Sequence, residues 1–215
     1  MCIRDSVEGV GPGGAPALVV GNGESMDLVD AGCLQLGADG QDFSVSMWLK
    51  ASGGSQIIGT KTQYNGNQGF VVFTTVRSDG QLELRARSAL ASDQPSSTWR
   101  TVTSIPFTPD VWTHVAVTYR NDDALSTFTL HVNTAPTSGA AHPDVHNSDL
   151  RIGDQGWGDI SPFEVSEMRS YGRLLTDAEV GSLFIAGAAD AGFTTAPLLE
   201  GISALEQHVT GQPVR

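Results

Sequence analysis

Two glutamates, Glu164 and Glu167, lie three positions apart in the segment FEVSEMRSYGRLLTDAEV. Glycoside hydrolysis requires two carboxylates that converge on one bond, about 5–5.5 Å apart in retaining enzymes and about 6.5–9.5 Å apart in inverting ones. The segment begins like a strand, and residues three apart on a strand point to opposite faces unless a bulge intervenes. We therefore expect no convergent pair. Glu167 should pair with Arg169 on the surface, Glu164 should be solvated, and Arg173 should bond the turn that follows.

Aromatic side chains indicate a second kind of chemistry, the binding of sugar rings, because a large rigid apolar surface suits the C–H face of a sugar. Trp157 in GDQGWGD and Tyr64 in TQYNGNQG lie in glycine-rich loops, where aromatic residues often serve binding. Trp48, Trp112 and His114 point away from the predicted apolar layer. They either form a ligand face or are covered by a loop, the C-terminal helix or a further sheet, and we prefer the second interpretation. All five residues are candidate ligand contacts.

The elements that position these residues are predicted to be strands, because short runs rich in Val, Thr and aromatic residues recur between turns. These runs lie at residues 17–20, 25–29, 42–50, 55–60, 69–76, 80–88, 98–104, 111–119, 125–132, 149–153 and 163–171.

The clearest runs alternate with the period of two that half-buried strands have. The residues expected on apolar faces are Phe43, Val45, Met47, Leu49, Leu82, Leu84, Ala86, Val111, Val115, Val117, Tyr119, Ser126, Phe128, Leu130 and Val132. Glu83, Arg85 and Arg87 are expected on the opposite face of their strand. Hairpin turns are indicated by Asn-Gly at 65–66 and Asp-Gly at 79–80. The pattern predicts an all-β fold with antiparallel sheets packed in two layers.

One helix is predicted after the last strand. The segment TDAEVGSLFIAG begins with a capping box, Thr176 as N-cap and Glu179 three residues later, and Gly187 is expected to end it. A second helix, PLLEGISALEQH, is a weaker prediction because Gly201 interrupts it.

Residues 1–16 are predicted to be a disordered lead or linker because residues 7–16 are rich in glycine and proline. The opening MCIRDS resembles a peptide translated from sequencing-adapter DNA in a metagenomic contig, so residues 1–6 are expected to be an artefact and the native start to be missing. Residues 17–186 form the expected domain, and 187–215 a linker or the start of a further segment. No signal peptide is visible.

The composition limits the classes of partner. The 215 residues carry a formal net charge of -12, which repels phosphate backbones and anionic lipid surfaces. No apolar run has the length of a membrane-spanning helix. With Cys2 and Cys33 as its cysteines, the chain is not a disulfide scaffold.

Three stretches carry a family resemblance. GNGESMDLVDAGCLQLGADGQDFSVSMWLKA resembles a Gly-flanked acidic turn followed by a strand of the type F-T-I-S-A-W-V-K. DVWTHVAVTY with FTLHVN, and LRIGD with VSEMRSYGRLLTDAEV, resemble the family's later strands and closing segment. In this order, over about residues 17–184, they are similar to the laminin-G-like and pentraxin-like branch of the concanavalin A-like superfamily. The resemblance implies an antiparallel two-sheet jelly roll with a short C-terminal helix.

The resemblance also implies sites. It places a structural calcium ion at the first Gly-flanked turn, with Asn22 where relatives often carry Asp, and Asp27 as ligands. Related glucanases carry E-x-D-x-x-E, in which Ser166 stands at the Asp position of this chain. Related alginate lyases carry R-x-E-x-R, of which QLELR is a partial echo with Gln81 in place of the first Arg.

We therefore expect a non-catalytic binding module of a secreted or cell-surface bacterial protein, part of a larger multidomain chain. Its expected partner is a glycan or an extracellular protein, through carbohydrate binding or adhesion, and neither nucleic acid nor a membrane. The alternative is a structural or assembly domain of a virion or large surface protein. A polysaccharide hydrolase or lyase is the third interpretation.

Overall fold

The computed structural model describes residues 7–28, 41–60, 70–88, 100–122, 126–141, 150–153 and 161–190. Within these ranges the chain forms thirteen strands and one α-helix, α1 (Asp177–Asp190). The strands are β1 (Val7–Val10), β2 (Pro16–Val20), β3 (Ser25–Leu28), β4 (Phe43–Ala51), β5 (Ser55–Thr60), β6 (Phe70–Val76), β7 (Leu82–Ser88), β8 (Arg100–Phe107), β9 (Thr113–Arg120), β10 (Ser126–Val132), β11 (Ala135–Ala141), β12 (Leu150–Gly153) and β13 (Phe163–Tyr171). No helix in these ranges is long and apolar enough to cross a lipid bilayer.

The strands form two sheets. A seven-stranded sheet has the order β1-β2-β13-β4-β9-β10-β11, and a six-stranded sheet has the order β3-β12-β5-β6-β7-β8. Neighbouring strands pair antiparallel in both sheets. The prediction of an antiparallel two-sheet jelly roll with a short C-terminal helix is confirmed.

The core lies between the sheets and consists of the alternating apolar residues. Phe43, Phe70, Tyr119 and Phe128 are completely buried at its centre, with ring centroids 4.9–6.2 Å apart. The predicted apolar faces are therefore confirmed in the main. Val111 is an exception, because it precedes the start of β9 and is 43% exposed.

Every predicted strand is present, with ends within about three residues of those expected. The sequence prediction missed two further strands at the edges of the seven-stranded sheet. Residues 7–16 were expected to be disordered, but β1 pairs with β2 from Val7↔Val19 to Val10↔Pro16. β11 pairs along the whole length of β10, and its Gly139 lies against the backbone of Val102, where a side chain would not fit.

The predicted capping box at the start of α1 is confirmed. The Glu179 backbone N–H donates to Thr176 Oγ1 at 3.2 Å, and the Thr176 N–H donates to Glu179 Oε2 at 2.8 Å. Arg173 adds a bidentate pair to Glu179, at 3.0 and 2.7 Å, and donates to the Leu174 carbonyl as expected. These hydrogen bonds, that from Arg173 first, lower the pKa of Glu179 to about 2.

The prediction that Gly187 ends the helix was wrong, because α1 continues to Asp190. Gly187 instead lies where the helix approaches the indole ring of Trp48. A Cβ atom at this position would lie 2.8 Å from Cε2 of Trp48, which is closer than real Cβ atoms come. The glycine therefore allows close packing between α1 and the sheet.

Replacing Gly187 by alanine should destabilise the fold by about 1–3 kcal/mol, because the new methyl group overpacks the contact with Trp48. Gly181→Ala is the matched control, since a Cβ at Gly181 of the same helix meets nothing within 4 Å. The control should gain about 0.5–1 kcal/mol from helix propensity. Urea unfolding measures both, and equal effects of the two substitutions would contradict the contact.

Candidate functional site

The closing strand β13 contains a bulge that the sequence did not predict. Its register with β4 shifts between Ser166 and Arg169, and Glu167 adopts a φ of 50°. Such a left-handed conformation is uncommon for a residue other than glycine, and a bulge places one extra residue on the strand. Strict alternation therefore does not hold across Glu164 and Glu167.

The carboxylates of Glu164 and Glu167 nonetheless form ion pairs with different basic residues. Glu164 accepts from Lys50 Nζ at 2.7 Å, and Glu167 accepts from Arg169 at 3.0 Å. The expected Glu167–Arg169 pair is confirmed, whereas the expectation that Glu164 is solvated was wrong. A hydrolase needs both carboxylates to face one bound sugar. Here each faces a different basic side chain.

Ser166 stands at the position where related glucanases carry Asp, and its side chain is buried within the protein. The residue is 2% exposed, and its hydroxyl donates to the carbonyl of Pro16 at 2.9 Å. The side chain thus ties β13 to β2, and it supplies neither a catalytic acid nor a charged metal ligand.

Trp48 and His114 lie on the outer face of the seven-stranded sheet, and α1 covers them. Each residue is 2% exposed, and their rings lie 5.5 Å apart by centroid. Phe184 of α1 packs 5.9 Å from Trp48 and 6.2 Å from His114. The preferred interpretation, that another element covers these two residues, is confirmed, and they are not ligand contacts because the helix occupies that space.

A second histidine, His131, is also 2% exposed on this face. Nδ1 of both histidines is buried without a hydrogen-bond partner in the described part of the chain. Burial lowers the pKa of His114 to about 4, and the charges of His131 and Arg169 act in the same direction. Burial also lowers the pKa of His131, against the opposing charge of Asp177, whose Oδ1 is 4.0 Å from His131 Nε2.

The fold should lose stability as the pH falls from 6.5 to about 4. In this window the unfolded chain binds a proton at His114 that the folded chain does not, so the free energy of unfolding decreases. The loss from His114 is at most about 3–4 kcal/mol, at about 1.4 kcal/mol per pH unit. Urea unfolding at several pH values measures it, with His114→Phe as the comparison. The account requires a shallower pH dependence in the variant, and identical slopes would contradict it.

The other aromatic candidates have different outcomes. Trp112 is half-buried rather than covered, and Lys50 Nζ lies 5.9 Å from the centroid of its ring. It stays a candidate ligand contact. Trp157 and Tyr64 lie outside the described residues, so their assignment as ligand contacts stays a prediction.

The resemblance placed calcium at the first turn, with Asn22 and Asp27 as ligands. Asn22 is exposed in the turn 21–24, where the carboxylate of Glu24 is engaged by the Gly21 N–H at 2.8 Å. The backbone of Asp27 in β3 is the register partner of Arg151 in β12. No group of three His, Cys, Asp or Glu side chains suited to a metal is present within the described ranges. Calcium at Asn22 and Asp27 stays a sequence-based prediction.

The outer face of the six-stranded sheet carries a different cluster, centred on Glu83 of β7. Its carboxylate accepts from Arg77 Nη1 and from Arg85 Nε, each at 2.8 Å. The hydrogen bond from Arg85, aided by that from Arg77, lowers the pKa of Glu83 against the opposing effect of burial. Glu83 is therefore an anion held between two cations.

Arg87, two residues further along β7, has no carboxylate partner in the described part of the chain. Its Cζ lies 4.7 Å from the ring centroid of Phe73, and its Nε donates to Thr101 Oγ1 at 3.4 Å. Burial, and then the charge of Arg85, lowers its pKa. The guanidinium is thus stacked and half-buried, and no carboxylate of the described residues neutralises it.

Beside these residues lies an open depression of about 530 Å³, lined by Arg77, Ser78, Glu83, Arg85, Thr101 and Ser104. Alternation predicted that Glu83, Arg85 and Arg87 share this face, and the structure confirms it. No comparable pattern predicted the position of Arg77. It reaches Glu83 because the turn around Gly80 closes with hydrogen bonds from Arg77 N to Gln81 O and from Gly80 N to Arg77 O.

Comparison with protein families decides the relationship. A laminin G family model, described as concanavalin A-like lectin/glucanases superfamily, matches residues 21–181. The chain belongs to this superfamily. A comparison with curated protein sequences found no significant match.

Solved structures with a similar fold include those of botulinum neurotoxins, several of which are described as binding domains. A structure of botulinum neurotoxin type C, described as dependent on two ganglioside molecules for cell entry, has a TM-score of 0.59 at 12% identity and 85% coverage of this chain. The botulinum neurotoxin type G receptor binding domain has a TM-score of 0.58 at 12% identity and 84% coverage of this chain. The binding domain of botulinum neurotoxin DC in complex with rat synaptotagmin II has a TM-score of 0.61 at 10% identity and 85% coverage of this chain.

This superfamily member spans less than half of those structures, 45%, 46% and 45% of their lengths. At such identities the likeness shows the fold. The neighbours are receptor-binding domains, and the superfamily fold is that of a lectin-like module.

Proposed function

We propose that this chain is a non-catalytic, glycan-binding module and that it binds through the outer face of the six-stranded sheet. One observation carries the proposal: α1 covers the outer face of the seven-stranded sheet, whereas no described helix or strand packs on the outer face of the six-stranded sheet. The second face holds the depression that Glu83 and its arginines line.

The lining of the depression favours a sugar over a protein partner. Protein interfaces generally have an apolar or aromatic centre within a polar rim. The depression is lined by arginines, a carboxylate and the hydroxyls of Ser78, Thr101 and Ser104, and none of the described residues that line it is apolar. Such groups match the donors and acceptors of sugar hydroxyls.

The closing strand supports a binding role rather than hydrolysis. Glu164 and Glu167 are each engaged by a separate basic side chain, and Ser166 replaces the carboxylate of related glucanases. The purified protein incubated with laminarin, alginate and similar polymers should release neither new reducing ends nor unsaturated products. Turnover of any of these polymers would contradict the proposal.

The family resemblance supports the remaining parts of the proposal. The module works outside the cell or on its surface, as part of a larger multidomain bacterial protein. Among the structures of similar fold, that of botulinum neurotoxin type C is described by cell entry that depends on two ganglioside molecules. The binding domain of botulinum neurotoxin DC is described in complexes with rat synaptotagmin II and with SialylT. Calcium, if it takes part, would act structurally at Asn22 and Asp27.

A blocking substitution tests which face binds. Ser104 is exposed on the edge strand β8 and lines the depression. Ser104→Trp should abolish binding to a polysaccharide array because the indole fills the depression. Ser138→Trp is the matched control, at an exposed serine on the edge strand β11 of the other sheet, in a depression of about 410 Å³. It should bind as the wild type does.

The array is run with and without calcium, and thermal unfolding confirms that both variants fold. Binding that survives Ser104→Trp and is lost in Ser138→Trp would move the site to the seven-stranded sheet. Absence of binding to every polysaccharide, in either condition, would contradict the glycan-binding function itself.

A further inference from the structure

Arg87 is the feature of the six-stranded sheet that its ion pairs leave unexplained. Arg77 and Arg85 share the charge of Glu83, whereas no described carboxylate lies within ion-pair distance of Arg87. A partly buried cation loses some of its hydration, and an anionic ligand would replace what is lost. An anion bound beside Arg87 would supply the counter-charge.

The geometry of Arg87 suits the recognition of an acidic group. Phe73 supports one face of the guanidinium at 4.7 Å, and the bond from Nε to Thr101 fixes its orientation. No hydrogen bond of the Nη atoms is recorded among the described residues. A planar guanidinium held in this way forms paired hydrogen bonds with a carboxylate or a sulfate.

From this geometry, and building on the proposed function, we infer that the ligand is an acidic glycan whose carboxylate or sulfate group binds the guanidinium of Arg87. The sugar hydroxyls then lie over the adjacent depression, where Thr101 is shared between the depression and the Arg87 contact. The proposal concerns one site and one chemical class, glycans that carry uronate or sulfate groups.

The net charge of -12 does not oppose this assignment. Charges are screened beyond about 8 Å at physiological ionic strength, so a ligand in contact with Arg87 experiences mainly the nearby groups. Three arginines and Glu83 surround the site, with Asp79 at 3.4 Å from Arg77 at its rim. Of these five described groups three are positive and two negative, so together they carry a charge of +1. The distant acidic surface slows the approach of polyanions and selects against those that make no such contact.

Titration calorimetry tests the inference with oligogalacturonate and a sulfated dextran oligomer as acidic probes and laminarin oligomers as neutral probes. Arg87→Ala should lower the affinity for the acidic probe about 10- to 100-fold, since a hydrogen-bonded charge pair is lost. Arg87→Lys should lower it too, because lysine keeps the charge but neither the fork nor the stacking on Phe73. The lysine variant also guards against misfolding of the alanine variant.

Arg120→Ala is the matched control, since Arg120 is an exposed arginine of the other sheet and its loss changes the net charge equally. It should leave the affinity unchanged. A loss of affinity in Arg120→Ala equal to that in Arg87→Ala would overturn the inference, because it would show an effect of overall charge.

The remaining outcomes separate the inference from the proposed function. Binding of the neutral probe as tightly as the acidic probes overturns the inference and leaves the glycan-binding function intact. Absence of binding to all probes overturns both. Equal, Arg87-dependent binding of poly-glutamate would assign the site to an acidic protein segment and overturn the glycan assignment. Comparison of the two acidic probes identifies whether carboxylate or sulfate is preferred.

Discussion

The packing of α1 against Trp48 determines which surface of this sandwich is available for binding. Gly187 brings the helix close to the indole ring, and Phe184 covers the ring beside it. The buried hydroxyl of Ser44 holds the chain before the helix, because it donates to the Arg173 carbonyl and accepts from the Leu175 N–H, each at 2.9 Å. With the helix fixed at both points, the outer face of the seven-stranded sheet becomes a second small core. It contains Ala116, Leu175 and Val180.

The consequence is an asymmetric molecule. One outer face contains buried aromatic residues and two buried histidines with lowered pKa values, and the other has arginines arranged around a carboxylate and a stacked guanidinium. The carboxylates of the closing strand belong to the first sheet and are neutralised locally by Lys50 and Arg169. The two carboxylates of the closing strand are therefore compensated within the protein. On the six-stranded sheet Arg87 lacks compensation in the described part of the chain, which is the physical basis for expecting a ligand there.

Much of this arrangement was predictable from local sequence patterns. Alternation predicted the core strands and the shared face of Glu83, Arg85 and Arg87, and the capping box predicted the start of α1. Local patterns failed where a distant contact decides the conformation. Gly187 has the signature of a helix end, but its role is set by Trp48, well over a hundred positions earlier in the chain. Likewise, β1 is hidden in a segment rich in glycine because edge pairing with β2 supplies its order.

The bulge at Glu167 shows the same limit in the candidate site. Glutamate has no preference for a φ of 50°, so the residue type at position 167 did not predict the bulge. Glu164 and Glu167 are held by different basic side chains, and strand parity no longer decides which faces they take. The position of Arg77 beside Glu83 required the closed turn at Gly80, and the stacking of Arg87 on Phe73 required the register of β6 with β7.

The most direct test of the account is an NMR titration of the protein with an acidic oligosaccharide, observing backbone amides and arginine Nε–H groups. The account predicts shift changes concentrated in β6, β7 and β8, with the Nε–H of Arg87 among the largest. Changes concentrated instead at Lys50, Trp112 and α1, with β7 unaffected, would place recognition on the helix-covered side and contradict it.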